Sequence, residues 1–235
     1  MKTDIDIDAS LPTCYPDQPT AISHGYWMKD VWKSSICKTT QWTSVSHVQI
    51  CLRNKQLLLL GDSTVRQWAE YIPVLLNATG ARPRNATDNT EYHHFHREYQ
   101  DINLTVSFRF HAYPITVVRT PPLLHEVDII DTITSDKCLY IILVLSPWAH
   151  FSQWTRESYH ERLALLRKSV ERLRERCPGV PVVLKEPHPR DYPDLLSRIY
   201  ASDYLLQEIG KDMRENIPWK WRLVPRCLGY DIISS

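Results

Sequence analysis

Glycine is scarce in this chain, with only 6 among 235 residues. No GxGxxG or GxxxxGK string occurs, so neither of the glycine-rich phosphate loops is present. A surplus of one charge is also lacking. The 28 Lys and Arg residues stand against 27 Asp and Glu, so net charge gives no reason to expect nucleic acid or an anionic membrane as partner. No apolar run approaches the ~20 residues of a membrane-spanning helix. The most apolar stretch, Leu139 to Leu145, is the size of a strand. None of the six cysteines (Cys14, Cys37, Cys51, Cys138, Cys177, Cys227) forms a CxxC pair, which argues against zinc. No internal repeat is visible, and no cofactor motif is found.

What is present describes an ordinary globular chain. Hydrophobic residues make up 43%, enough for a sizeable core, with 8 Trp and 16 Pro. The length fits one α/β domain. The amino terminus, MKTDIDIDASLP, is too acidic and polar for a secretory signal. Three N-x-S/T sequons, at Asn77, Asn85 and Asn103, nevertheless suit N-glycosylation, and an even cysteine count permits three disulfides in any of fifteen pairings. Cys177, beside a helix end, and Cys227, in the tail, are candidates for free thiols. These features predict a secreted or ER/Golgi lumenal protein whose signal or anchor is not in this chain, which is therefore read as incomplete.

The pattern divides the chain into a Cys- and Trp-rich irregular cap, 1–54, and a main body, 55–235, that together act as one domain. Gln56 to Leu60 reads as a buried parallel strand. Ser63 to Leu76 reads as a helix with Val65, Trp68, Ala69, Ile72 and Leu75 on one face. Residues 77–101 read as a long surface loop. Its His93, His94 and His96 have metal-like spacing, but solvated side chains are the better expectation. Leu104 to Phe110 alternates as a strand with one wet face, and 115–118 is a further strand candidate. Pro121 and Pro122 suit the opening of a helix through about Thr134. Tyr140 to Leu145 is the central strand. Arg156 to Arg176 is a helix with Leu163, Leu166, Val170 and Leu173 inside, ended by Cys177-Pro178-Gly179. Val180 to Leu184 is the next strand, and 194–214 another helix. Strand and helix alternate throughout, which implies a three-layer α/β sandwich around a mainly parallel sheet.

In such sheets function gathers beyond the carboxyl ends of strands. Gly61-Asp62-Ser63 stands at one of them. Gly61 allows a tight turn. Asp62 can accept local N–H bonds. Ser63, where the next helix begins, is placed to be a nucleophile, with the helix amino terminus to stabilise an oxyanion. The plain alternative is an N-cap worth about 1 kcal/mol. Arg66, one turn on, can orient the site, pair with Asp62, or form an ordinary surface salt bridge.

The longer string Gly61-Asp62-Ser63-Thr64-Val65-Arg66-Gln67-Trp68 resembles the GDST-x-RQW block of the NXPE family, whose members join a neurexophilin-like part to a C-terminal PC-esterase domain. Gly25-Tyr26-Trp27 and Cys51-Leu52-Arg53-Asn54-Lys55 before it are similar to the family's lead-in. Trp148-Ala149-His150-Phe151-Ser152 is similar to its W-x-HFS segment, and Val182 to Lys185 keeps its order. The similarity runs from about residue 24 to about residue 215. The resemblance implies an SGNH-hydrolase, flavodoxin-like fold and O-acyl ester chemistry on glycans, by transfer or hydrolysis. It implies Ser63 as nucleophile, with Gly61 and Asp62 shaping its turn and the Ser63 N–H as oxyanion donor. His150 is implied as a further polar group at the oxyanion, although a packing role is equally open. Trp148 and Arg66 are the substrate-holding and orienting candidates. No resident cofactor is implied. An acyl donor such as acetyl-CoA would be a co-substrate, the acceptor a glycan, and the protein a monomer.

One part of the family pattern is missing. The family supplies its base from a D-x-x-H motif near its carboxyl terminus, and no histidine here has an aspartate three residues before it. His188, between prolines, is a weak substitute, and loop punctuation explains it better. The sequence therefore predicts an O-acetyltransferase or O-acyl esterase impaired by the missing base. The alternative is a non-catalytic binder of glycans or proteins using its aromatic surface.

Overall fold

The structure is a computed structural model that describes residues 11–12, 25–28, 31–38, 44–78, 94–111, 125–147, 151, 155–185 and 211. The expected strand at 115–118, the expected helix at 194–214 apart from residue 211, and the tail lie outside these residues, as do Trp148, His150, His188, Asn85 and residues 112–124.

The described part of the first 54 residues contains regular elements. β1 (Gly25–Met28) and β2 (Val31–Ser34) form an antiparallel hairpin. α1 (Val45–Leu52) follows, capped by Ser44, whose side chain accepts from the His47 N–H. Its Val48, Cys51 and Leu52 are buried in the same core cluster as the main sheet. Three apolar side chains at helical spacing fit one buried face, a signal obscured by the polar residues between them.

Among the described residues the main sheet has five strands: β3 (Gln56–Gly61), β4 (His94–Tyr99), β5 (Leu104–Phe110), β6 (Ile141–Leu145) and β7 (Val182–Leu184). Their order is β4-β5-β3-β6-β7. β3 runs parallel to both β5 and β6, and β6 parallel to β7. β4 is antiparallel to β5, at the edge of the sheet formed by the described residues. That strand corrects the expected 77–101 surface loop. Its His96 is exposed and bonds the Ser107 hydroxyl at 2.9 Å. A polar edge strand carries almost no apolar signal, because one side of it faces water.

Helices cover both faces. α2 (Ser63–Leu75) and α1 lie over Leu57, Leu59, Val106, Phe108, Ile142 and Val144. α4 (Arg156–Arg176), with the short α3 (Glu126–Asp131), lies over Leu60, Leu143, Leu145, Val182 and Leu184. Alternate residues of each strand thus feed opposite cores, as the period of two demands. Leu163, Leu166, Val170 and Leu173 of α4 are fully buried. Each contributes about 1.5–3 kcal/mol of apolar transfer.

Cysteine chemistry reinforces this layer. Cys138, ahead of β6, is bonded to Cys177 at the end of α4. Cys37 and Cys51 are also disulfide-bonded, and none of the described cysteines is free. The expectation of a free Cys177 is therefore wrong, because the turn before β6 brings Cys138 up against the helix end.

Candidate functional site

The four parallel strands finish within one residue of one another. Gly61 is in register with Phe110, Leu60 with Leu145, and Leu145 with Leu184. The next residue along each strand is therefore presented at the same end of the sheet: Asp62 after β3, His111 after β5, Ser146 after β6 and Lys185 after β7. All four are buried. Backbone hydrogen bonds continue the ladder one rung past the strands. The His111 N–H donates to Gly61 O at 2.9 Å, Ser146 N–H to Leu60 O at 3.0 Å, and Lys185 N–H to Leu145 O at 2.8 Å.

The turn from β3 into α2 sits in the middle of that row. Gly61 is required there by space rather than by its dihedral angles. A Cβ added to it would stand 2.8 Å from Val65 Cγ2 and 3.1 Å from Ser146 Cβ. Asp62 is the N-cap of α2. Its Oδ1 accepts from the Thr64 N–H at 2.8 Å and from the Thr64 hydroxyl at 2.6 Å. Its Oδ2 is buried without a hydrogen-bond partner among the described residues. Ser63 is the first residue of the helix and half-buried. The Asp62 carbonyl takes the Arg66 N–H at 3.1 Å. The Ser63 N–H has no acceptor among the described residues and stands at the positive end of the helix dipole.

Arg66 does not pair with Asp62. Its guanidinium reaches the other way, to Glu70 Oε1 at 3.4 Å, one turn along α2. Trp148 and His150 lie outside the described residues, so the structure neither joins them to Ser63 nor separates them from it.

Titratable side chains to which the sequence reading gave no role belong to this neighbourhood. Lys185 is buried, with its Nζ 5.8 Å from the centre of the Trp68 ring. Burial lowers its pKa to about 8 against the opposing pull of Asp62. Burial alone would raise the pKa of Asp62. The two Thr64 hydrogen bonds, then the charges of His111 and Lys185, outweigh it and hold the carboxyl below its ordinary value. On the other side of the sheet end, His111 stacks edge-on against Phe151, centroids 4.9 Å apart, with its Nδ1 3.7 Å from Glu126 Oε1. Glu126 is bonded to Arg162 of α4. Burial raises the Glu126 pKa although Arg162 works against it.

His111, Ser146 and Lys185 shared one usable signal with Asp62. Each is the first polar residue after the end of a strand that buries apolar side chains. Glu126 and Arg162 had none, since their pairing joins two helices 36 residues apart.

Fold and site together define a three-layer α/β domain that presents a serine at a strand-to-helix turn, over the central strand of a parallel sheet. A family model described as the C-terminal domain of NXPE family member 4-like proteins matches residues 32–218. The chain belongs to this family.

Proposed function

We propose that the domain handles O-acyl esters of glycans, with Ser63 as nucleophile on an SGNH-type fold. One observation carries the reading. Ser63 opens α2 at the carboxyl end of the central parallel strand, with a backbone N–H that has no acceptor among the described residues. In the step proposed, Ser63 Oγ bonds to the carbonyl carbon of an acyl donor. The carbonyl π electrons move to oxygen, and the Ser63 N–H donates a hydrogen bond to that oxyanion. Collapse expels the donor's alcohol or thiol, which leaves with the serine proton. A sugar hydroxyl or water then takes the acyl group. Acetyl-CoA fits as a donor, used as a co-substrate.

The missing D-x-x-H pair sets the expected rate. General-base action is typically worth 10² to 10⁴-fold, so this chain reacts slowly. The same absence favours a second reading, a glycan- or protein-binding domain that keeps the fold without turnover. We place either activity in the secretory pathway, with a monomeric protein glycosylated at Asn77, Asn85 and Asn103. The described disulfide and the exposed positions of Asn77 and Asn103 support that.

The test is labelling with a fluorophosphonate serine probe, read by intact mass over hours. Slow labelling that disappears in Ser63→Ala supports the nucleophile. Unlabelled Ser63 in a folded protein, together with retention on a glycan array, selects the binding reading.

A further inference from the structure

We propose that Tyr159 of α4 is a positioning residue for Ser63: with Phe151 as a second anchor, it clamps the chain that leaves β6 against the turn on which the serine stands. This rests on the reading of Ser63 as nucleophile.

The chain leaving β6 is held at three described points. Ser146 is fastened by its N–H, which donates to Leu60 O at 3.0 Å, and by its hydroxyl, which donates to Lys185 O at 3.1 Å. Pro147 comes next, and its carbonyl accepts from the Tyr159 hydroxyl at 2.8 Å in the interior. Phe151 is the third point. Its buried ring lies 6.0 Å from the ring of Tyr159 and 4.9 Å from that of His111. The Arg162 guanidinium stands over it, 5.4 Å from its centre. Tyr159 and Arg162 are three residues apart on α4 and both buried, so one face of the helix holds both anchors.

The anchors bear on Ser63 through Gly61, two residues ahead of it. β5 and β6 flank β3, and each brings one residue against the Gly61 backbone. Ser146 packs so closely that a Cβ on Gly61 would stand 3.1 Å from its own. His111, against which the Phe151 ring is seated, donates its N–H to Gly61 O at 2.9 Å. A shift of Pro147 or Phe151 therefore reaches the turn by direct contact from both sides. A close-packed interior transmits such a shift rather than absorbing it. The clamp also confines the residues between its two anchors. Trp148, Ala149 and His150 lie outside the described residues, yet four Cα-to-Cα steps join Pro147 to Phe151. That is at most about 15 Å of chain, tied at both ends to α4.

The experiment compares wild type, Tyr159→Phe and Phe151→Leu in the full chain. Tyr159→Phe deletes the bond to Pro147 and keeps the ring. Phe151→Leu keeps apolar bulk and deletes the ring contacts. Three quantities are read: the urea midpoint, amide hydrogen exchange of the peptide spanning residues 146–152, and Ser63 labelling as a function of fluorophosphonate concentration. The proposal expects Tyr159→Phe to move the midpoint by no more than about 0.5 M. Exchange of that peptide should rise roughly fivefold, the equivalent of one buried hydrogen bond. The maximal labelling rate should fall about tenfold, while the half-saturating probe concentration stays within about twofold of wild type. Phe151→Leu should act in the same direction. Faster exchange with an unchanged maximal rate would make Tyr159 a structural prop and overturn the proposal. Unchanged exchange in Tyr159→Phe would overturn it too. If wild-type Ser63 never labels, the nucleophile reading fails by itself. Exchange then decides the clamp: a rise in Tyr159→Phe supports it, and no rise overturns it.

Discussion

Gly61 and Ser146 touch across the carboxyl ends of β3 and β6: a Cβ on Gly61 would lie 3.1 Å from the Cβ of Ser146 and 3.3 Å from its carbonyl oxygen. The third close atom, Val65 Cγ2, comes from the first turn of α2. The glycine thus lets the helix start directly above the sheet. Gly61→Ala forces both neighbours apart and should destabilise by about 1–3 kcal/mol, the usual range for an overpacked site. Urea denaturation reads the loss. A midpoint equal to wild type would mean that the turn relaxes freely.

Lys185 makes stability depend on alkaline pH in an unusual direction. Its folded pKa is about 8, below the ordinary lysine value. Above pH 8 the folded chain has released a proton that the unfolded chain keeps until roughly pH 10.4. The unfolded state binds more protons across that window, so this group's contribution to stability rises with pH. The gain is on the order of 3 kcal/mol at most. Asp62 is the charged neighbour that opposes it. Subtracting the Lys185→Met profile from wild type, by urea titration at each pH, isolates the effect. A difference that falls between pH 8 and 10 would contradict the burial of the ammonium.

The pair Glu126–Arg162 bonds α3 to α4 in the interior. Removing one partner leaves the other charge buried. Arg162→Met alone should therefore cost about 3–5 kcal/mol, and Glu126→Leu/Arg162→Met together much less. A double-mutant cycle in denaturant measures this. Equal losses for the single and double variants would show that packing, not charge, governs the site.

The Cys138–Cys177 bond closes a loop with a sequence separation of 39. Replacing both cysteines by serine should lower stability by about 2–4 kcal/mol, mainly by freeing the unfolded chain. Thermal melts with and without reductant check this. A variant as stable as the oxidised protein would assign the rigidity of this corner to the core around Leu173 and Val180.

How readily each element could be read follows from its surroundings. α4 runs over Arg156–Arg176, matching the sequence reading, because its apolar stripe repeats for five turns against one sheet face. β3, β5 and β6 were equally plain, since buried strands leave continuous or alternating apolar runs. β4 was hidden because an edge strand gains its order from hydrogen bonds to β5, which leave no trace in side-chain pattern. α1 was hidden because its three buried residues are interspersed with polar ones.

At the candidate site, the sequence by itself determined the local parts: a strand that ends on Gly61, an acid able to cap the helix, and a serine that opens it. Those depend on neighbours within a few residues, where steric and capping rules act directly. It also carried enough of the family's pattern for the chain to be recognised. The tertiary structure alone decided that Arg66 turns to Glu70, that Cys138 meets Cys177, and that His111 and Lys185 come to the same end of the sheet as Asp62. These relations span strands and helices far apart in the chain. Their energies come from burial and from charges acting through a dry interior, and neither exists until the sheet has brought its strand ends together.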